Sequence, residues 1–182
     1  TTAELSPKLT KTAQQAEQAY TALQGMGYDF SFRATWPVQV YVKTIDDGSY
    51  GVFSLPGPWP KNPNLSYISY SKAFTDDAEY PGVVIHELFH LVKSGLLQVN
   101  SWANWNAKNW LDEATSTWVQ EKHPQTGQPY NNDIALSWKD SMFTGLSSNM
   151  VANSGYGKAP MAKYVAKRWG DAKVKEILNL AK

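Results

Sequence analysis

The sequence contains no cysteine, which closes off a disulfide framework, a thiolate nucleophile and any thiolate metal site. No stretch approaches the ~18 consecutive apolar residues of a membrane-crossing helix, so no membrane partner is expected and a soluble protein is. Charge of one sign is lacking as well. Seventeen Lys and Arg stand against 16 Asp and Glu, a formal net charge of +1, and that gives no electrostatic footprint for nucleic acid or an acidic surface. Internal repeats and low-complexity tracts are absent. Histidine is scarce, three in 182 residues, which makes its placement informative. What is plentiful is apolar and aromatic material, 42% and 13%, ample for one core over residues 1–182 and no second domain.

Two of the three histidines lie in His86-Glu87-Leu88-Phe89-His90. A helix places residues i and i+4 on one face, so two imidazoles meet with a glutamate beside them. Neutral imidazole is a preferred Zn²⁺ ligand, and a carboxylate so placed can accept a proton from water. This is the H-E-x-x-H signature of zinc metalloproteases. A shuffled chain with three His and seven Glu would show it roughly once in a thousand. The segment from Pro81 to Gly95 is apolar on nearly every side except at the motif, as in a helix buried within a domain. Pro81 suits its first turn, and Gly95 the left-handed position just past its end.

A catalytic zinc keeps three protein ligands, and the third is to be sought downstream. A metzincin continues H-E-x-x-H-x-x-G-x-x-H, but Lys93 and Leu96 occupy the glycine and histidine positions, so that class is excluded. His123 precedes Pro124, where chains tend to leave a helix, and a surface role is expected for it. Glu113 shares a helical face with Trp110, Ala114, Thr117 and Trp118. A carboxylate there is costly to bury unless paired or metal-bound, which makes it the preferred candidate. Asp112 lies about 100° around the helix and is expected to be a solvated first-turn acid, with a ligand role as the lesser possibility.

H-E-x-x-H followed by a helix carrying W-L-x-E, here Trp110-Leu111-Asp112-Glu113, resembles the gluzincin branch of zinc metallopeptidases, the peptidase MA-like domains. The resemblance implies one Zn²⁺ per chain held by His86, His90 and Glu113, with Glu87 activating water. It implies a late phenol that stabilises the oxyanion, for which Tyr156 between Gly155 and Gly157 is the natural choice; Tyr164 is expected in the core. Many gluzincins read N-E-x-x-[ST]-D around the third ligand, whereas this chain has Asp112, Glu113, Ser116 and Thr117. The acid that would orient a zinc-bound histidine is therefore missing from its usual place.

Along the chain, Ser6-Pro7 caps a polar Ala/Gln-rich helix running to Gly25. Val38, Val40 and Val42 alternate with polar neighbours, the period of a half-buried strand, and Asp46-Asp47-Gly48 predicts a hairpin into Tyr50 to Leu55. A Pro-rich loop, Pro56 to Asn64, leads to a third strand, Leu65 to Tyr70. After Gly95 the rest reads as helices, with breaks at Trp102 to Asn109, Pro124 to Asn131, Gly145 to Gly157 and Gly170. The expected fold is α+β and zincin-like: an N-terminal helix and a small, twisted, mainly antiparallel-edged sheet over the H-E-x-x-H helix (1–95), then a helical lobe (96–182).

In such peptidases the strand before the zinc helix forms the cleft edge, so Ser66, Tyr67, Ile68, Ser69 and Tyr70 are expected to bind substrate backbone by β-augmentation. Trp102, Trp105 and Trp110 could be sugar platforms, but aromatic residues in a helical lobe more often pack its core. The expected activity is hydrolysis of peptide bonds in peptides or proteins, endopeptidase favoured over aminopeptidase because no G-x-M-E-N-like motif is found. The alternative is a non-catalytic or substrate-restricted zincin-like binding domain of a larger protein. A monomer is favoured. Thr1-Thr2 opens no signal-like stretch, which leaves a mature, a cytosolic or an excised chain open; a secreted, extracellular protein is the expectation carried forward.

Overall fold

In a computed structural model, which describes residues 2–97, 101–123 and 155–181, the Ala/Gln-rich N-terminal stretch forms helix α1, Thr2–Gly25. It begins earlier than Ser6-Pro7, so Pro7 lies inside it, where its missing N–H removes one helix bond. Three strands follow: β1, Gln39–Lys43; β2, Gly51–Ser54; and β3, Tyr67–Ser71. The helices α2, Tyr80–Leu96; α3, Trp102–Lys122; α4, Ala159–Trp169; and α5, Asp171–Leu180 complete the described residues. The predicted breaks at Pro124 to Asn131 and through most of Gly145 to Gly157 lie outside them. The protein is thus a mixed α/β fold, consistent with the predicted α+β class.

The sheet departs from expectation in its order, β1-β3-β2. β3 pairs in parallel with β1, Val40 opposite Ile68, and antiparallel with β2, Phe53 opposite Ile68. The sheet is therefore mixed rather than mainly antiparallel. The Asp46-Asp47-Gly48 turn does form, with Gly48 at φ +80° and Asp47 Oδ1 accepting from the Ser49 N–H at 2.9 Å. It joins two strands that do not pair, because the strand with the most apolar surface to bury lies between them. β3 is buried over Ile68–Ser71, whereas β1 alternates exposed and half-buried residues.

The expected substrate strand, Ser66, Tyr67, Ile68, Ser69 and Tyr70, is consequently wrongly placed for β-augmentation. Its ladder groups are used by neighbours on both sides, and among the described residues the outer edges of the sheet belong to β1 and β2.

Helix α2 is buried from Gly82 to Lys93, which its all-round apolar sequence required. It is packed by α1, α3 and β2. Its core neighbours include Leu23, Tyr70, Trp118, Val119 and Leu178, and burial of a large side chain such as these is worth roughly 1.5–3 kcal/mol each. Gly95 does not end the helix as predicted. It sits inside α2 because Phe32 packs against it: a Cβ there would stand 2.3 Å from the Phe32 ring. Two further expectations are corrected. His123 is buried, not at the surface, and Tyr164 is exposed, not in the core.

Candidate metal and catalytic site

Because α2 is enclosed, its motif residues are held in a buried place: His86, Glu87 and His90 are 5%, 8% and 8% exposed. Their ligand atoms lie within 4.8 Å of one another, a group that could hold a metal ion. α3 crosses α2 so that Glu113 comes over both imidazoles. Its Oε2 is 3.3 Å from His86 Nε2 and 3.7 Å from His90 Nε2. Those approaches are poorly aligned as hydrogen bonds, and Glu113 Oε2 is left without a hydrogen-bond partner among the described residues. A buried oxygen with no partner is costly. Two ligands each about 2.1 Å from a tetrahedral ion lie about 3.4 Å apart, close to the separation of Glu113 Oε2 from each imidazole Nε2.

The other ring nitrogens are engaged. His86 Nδ1 is 3.0 Å from Gln120 Oε1, and His90 Nδ1 is 3.0 Å from Asp112 Oδ1. With each Nδ1 so engaged, Nε2 is the ring nitrogen that faces Glu113 in both histidines, and it can bind a metal when unprotonated, as such partners orient metal-binding histidines. Asp112 is thus not a solvated first-turn acid. It also pairs with Lys93 Nζ, itself fully buried, which reaches the Asp112 carbonyl oxygen and donates to Ser116 Oγ at 2.6 Å.

Charge follows from this packing. Burial drives the His90 imidazolium down, but the carboxylates of Asp112 and Glu113 outweigh it and carry the group up to about 9. Burial likewise works against the carboxylates of Asp112 and Glu113, yet His90 and its neighbours hold both below their ordinary range. Lys93 is pushed down by burial despite Asp112.

Glu87 is held differently. The Phe53 N–H donates to its Oε2 at 2.7 Å. Because Ser71 N–H donates to Tyr50 O, alternation along an antiparallel pair turns Phe53 outward to the open edge of β2. β2 approaches this closely only because residue 51 is glycine: a Cβ would lie 2.7 Å from Glu87 Cγ and 3.0 Å from Val83 Cγ1. With one oxygen engaged by the strand, Glu87 is distinguished from Glu113, whose unpartnered oxygen faces the imidazoles.

Tyr156 lies in a helical turn ahead of α4 rather than in an open loop. Its ring stacks over His86, centroids 6.0 Å apart. Gly155 permits this, since a Cβ would meet Glu113 Cβ at 2.4 Å and Trp110 O at 2.8 Å. Burial first, then the negative charge of Glu113 and Glu87 and a hydrogen bond to Glu113, push the phenol well above its ordinary range. It stays protonated and is a donor.

A cavity of about 800 Å³ opens beside these groups, lined by Glu87, His90, Glu113 and Tyr156 and by apolar residues including Phe53 and Trp105. Of the residues expected at the site, His86, His90, Glu87, Glu113 and Tyr156 come together, and the β3 segment Ser66–Tyr70 does not line the cavity. Gly51, Phe53, Lys93, Ser116 and Gln120 were missed, and Asp112, weighed only as a solvated acid or a lesser ligand, is instead found against His90 and Lys93. Gln120 was the most accessible to sequence reasoning, being seven residues, two turns, beyond Glu113 on the same face. Comparison of the chain with protein-family models, with curated proteins and with solved structures finds no match in any of the three.

Proposed function

We propose that the protein is a zinc-dependent peptidase of gluzincin type with a zincin-like fold. The observation that carries the proposal is the convergence of Glu113 Oε2 on His86 Nε2 and His90 Nε2, at 3.3 and 3.7 Å, beside a buried His86-Glu87-His90 group that could hold a metal ion. Zn²⁺ held by these three residues would polarise a peptide carbonyl and lower the pKa of water.

The chain's own residues do the rest. Glu87, one oxygen anchored on the Phe53 N–H, takes the proton of the attacking water with the other. Hydroxide oxygen bonds to the carbonyl carbon, the C–N bond breaks, and Glu87 hands its proton to the departing amine. The Tyr156 phenol, whose burial favours the protonated form, donates to the oxyanion of the tetrahedral intermediate. An extended peptide would lie beside β2 rather than on β3, because β2 is the strand whose Phe53 N–H reaches Glu87.

The test is zinc content of the purified full chain by elemental analysis, with cleavage of a proteome-derived peptide mixture before and after chelation. One equivalent of zinc, chelator-sensitive cleavage restored by zinc, and loss of zinc in Glu113→Ala are expected. Bound zinc with no peptide cleaved would favour the binding-domain alternative. Full occupancy in Glu113→Ala would overturn the ligand set.

A further inference from the structure

The cavity beside Glu87 has an uneven distribution of charge. Its acids are Glu87, Asp112 and Glu113, all gathered around the two histidines, with Asp112 paired to His90 and Lys93. The remaining wall holds Lys61 and Lys108 among Phe32, Trp59, Leu97 and Trp105. Lys61 Nζ donates to the Gly57 carbonyl and lies 4.9 Å over the Trp59 ring. Lys108 Nζ donates to Leu97 O at 3.3 Å. Neither meets a carboxylate among the described residues.

An ammonium carries three donors, so each has hydrogen-bonding capacity left over. Lys108 is held below its ordinary range by partial burial, the condition that an incoming anion relieves. The segment that carries Lys61 is tied down two residues on: buried Arg33 donates to Ser66 Oγ at 2.8 Å and to the carbonyl of Pro63, which also lines the cavity, while Lys108 stands on helix α3.

We infer that this cavity is an acid-recognising pocket, in which Lys61 and Lys108 take a carboxylate of the substrate while Phe32, Trp59, Leu97 and Trp105 take an adjoining apolar side chain. The inference deepens the peptidase reading and rests on it for the word substrate. Apolar walls with a few convergent polar groups are the usual make-up of a specificity pocket, and ammonium-to-carboxylate bonds are charge-assisted. The carboxylate can come from an acidic side chain or from a peptide's C-terminus, and the two differ only in where the chain continues.

The experiment is a binding titration on the chelated, zinc-free full chain, read by the tryptophan fluorescence to which Trp59 and Trp105 contribute. Three probes share the aromatic group: acetyl-Phe-Asp-amide, acetyl-Phe-Ala with a free C-terminal carboxylate, and uncharged acetyl-Phe-Asn-amide. Absence of zinc removes coordination as a cause of acid preference. At least one acidic probe should bind about tenfold more tightly than the uncharged one, as expected for charged hydrogen bonds. The tighter acid identifies the source. Lys61→Met and Lys108→Met should each erode the preference, and the double variant abolish it, with Lys108→Arg retaining it.

Equal binding of all three probes, no binding of either acid, or a preference that survives in the double variant would overturn the inference. Peptides carrying the same groups on the zinc-loaded protein test the underlying reading separately. Charge-selective binding without cleavage removes the peptidase and keeps the pocket; cleavage indifferent to charge does the reverse.

Discussion

Glu87 and Asp112 are both acids close to a motif histidine, yet they do opposite things, and single substitutions should separate them. Glu87→Gln should keep zinc and the Phe53 N–H bond but lower hydrolysis by roughly 10²–10⁴-fold, since an amide cannot accept water's proton; kcat with zinc content measured in parallel decides it. Tyr156→Phe should lower kcat by roughly 10²-fold with zinc and thermal stability nearly unchanged, and an unchanged kcat/KM would remove the phenol from the site. Asp112→Asn leaves Lys93 buried opposite a neutral group, at a cost of about 3–5 kcal/mol, and should weaken zinc about 10–100-fold. Adding Lys93→Met should recover most of the stability in denaturant melts but not the zinc affinity. Full recovery of both would mean that Asp112 serves only to neutralise Lys93. The H-E-x-x-H residues and Glu113 were legible because spacing alone puts them on faces. Asp112 was not, because which side of α3 meets α2 depends on a helix crossing that no local period encodes.

At the scale of elements, the periods were readable and the pairings were not. The alternation of Val38, Val40 and Val42 and the all-round apolar run of α2 reported strand and buried helix correctly. β3 entered between β1 and β2 because burying Ile68 and Tyr70 is a demand of the whole sheet, while the Asp46-Asp47-Gly48 turn expresses only local preference. The consequence is that β2, an edge strand of the sheet, borders Glu87, and Gly51 fixes how near. Gly51→Ala should push β2 away from Val83 and Glu87, costing roughly 1–3 kcal/mol as overpacking does. It should also lower kcat, because the Phe53 N–H no longer reaches Glu87 Oε2. Thermal melts and kcat on one preparation test this, and an Ala variant with wild-type turnover would detach the strand from the chemistry.

For the molecule as a whole, the buried charge cluster couples stability to pH and to metal. In zinc-free protein His90 titrates near 9 against about 6.5 unfolded. A raised folded value gives stability that is fully present below the unfolded pKa and is lost as pH climbs through the folded one. Asp112 and Glu113 are lowered, so their contribution is present above the ordinary carboxylate range, about 4, and is lost on acidification. Zinc-free protein should therefore melt highest between about pH 5 and 6.5 and progressively lower towards pH 9. Zinc requires both Nε2 atoms unprotonated, so its uptake at pH 7 should release a proton from His90 and flatten the alkaline decline. His90→Gln should lack that decline without any metal, which isolates it from the titration of other groups. Thermal melts from pH 4 to 9, with chelator or zinc, decide the matter: a wild-type decline no steeper than the variant's between 6.5 and 9 would show that His90 is not held charged by Asp112 and Glu113.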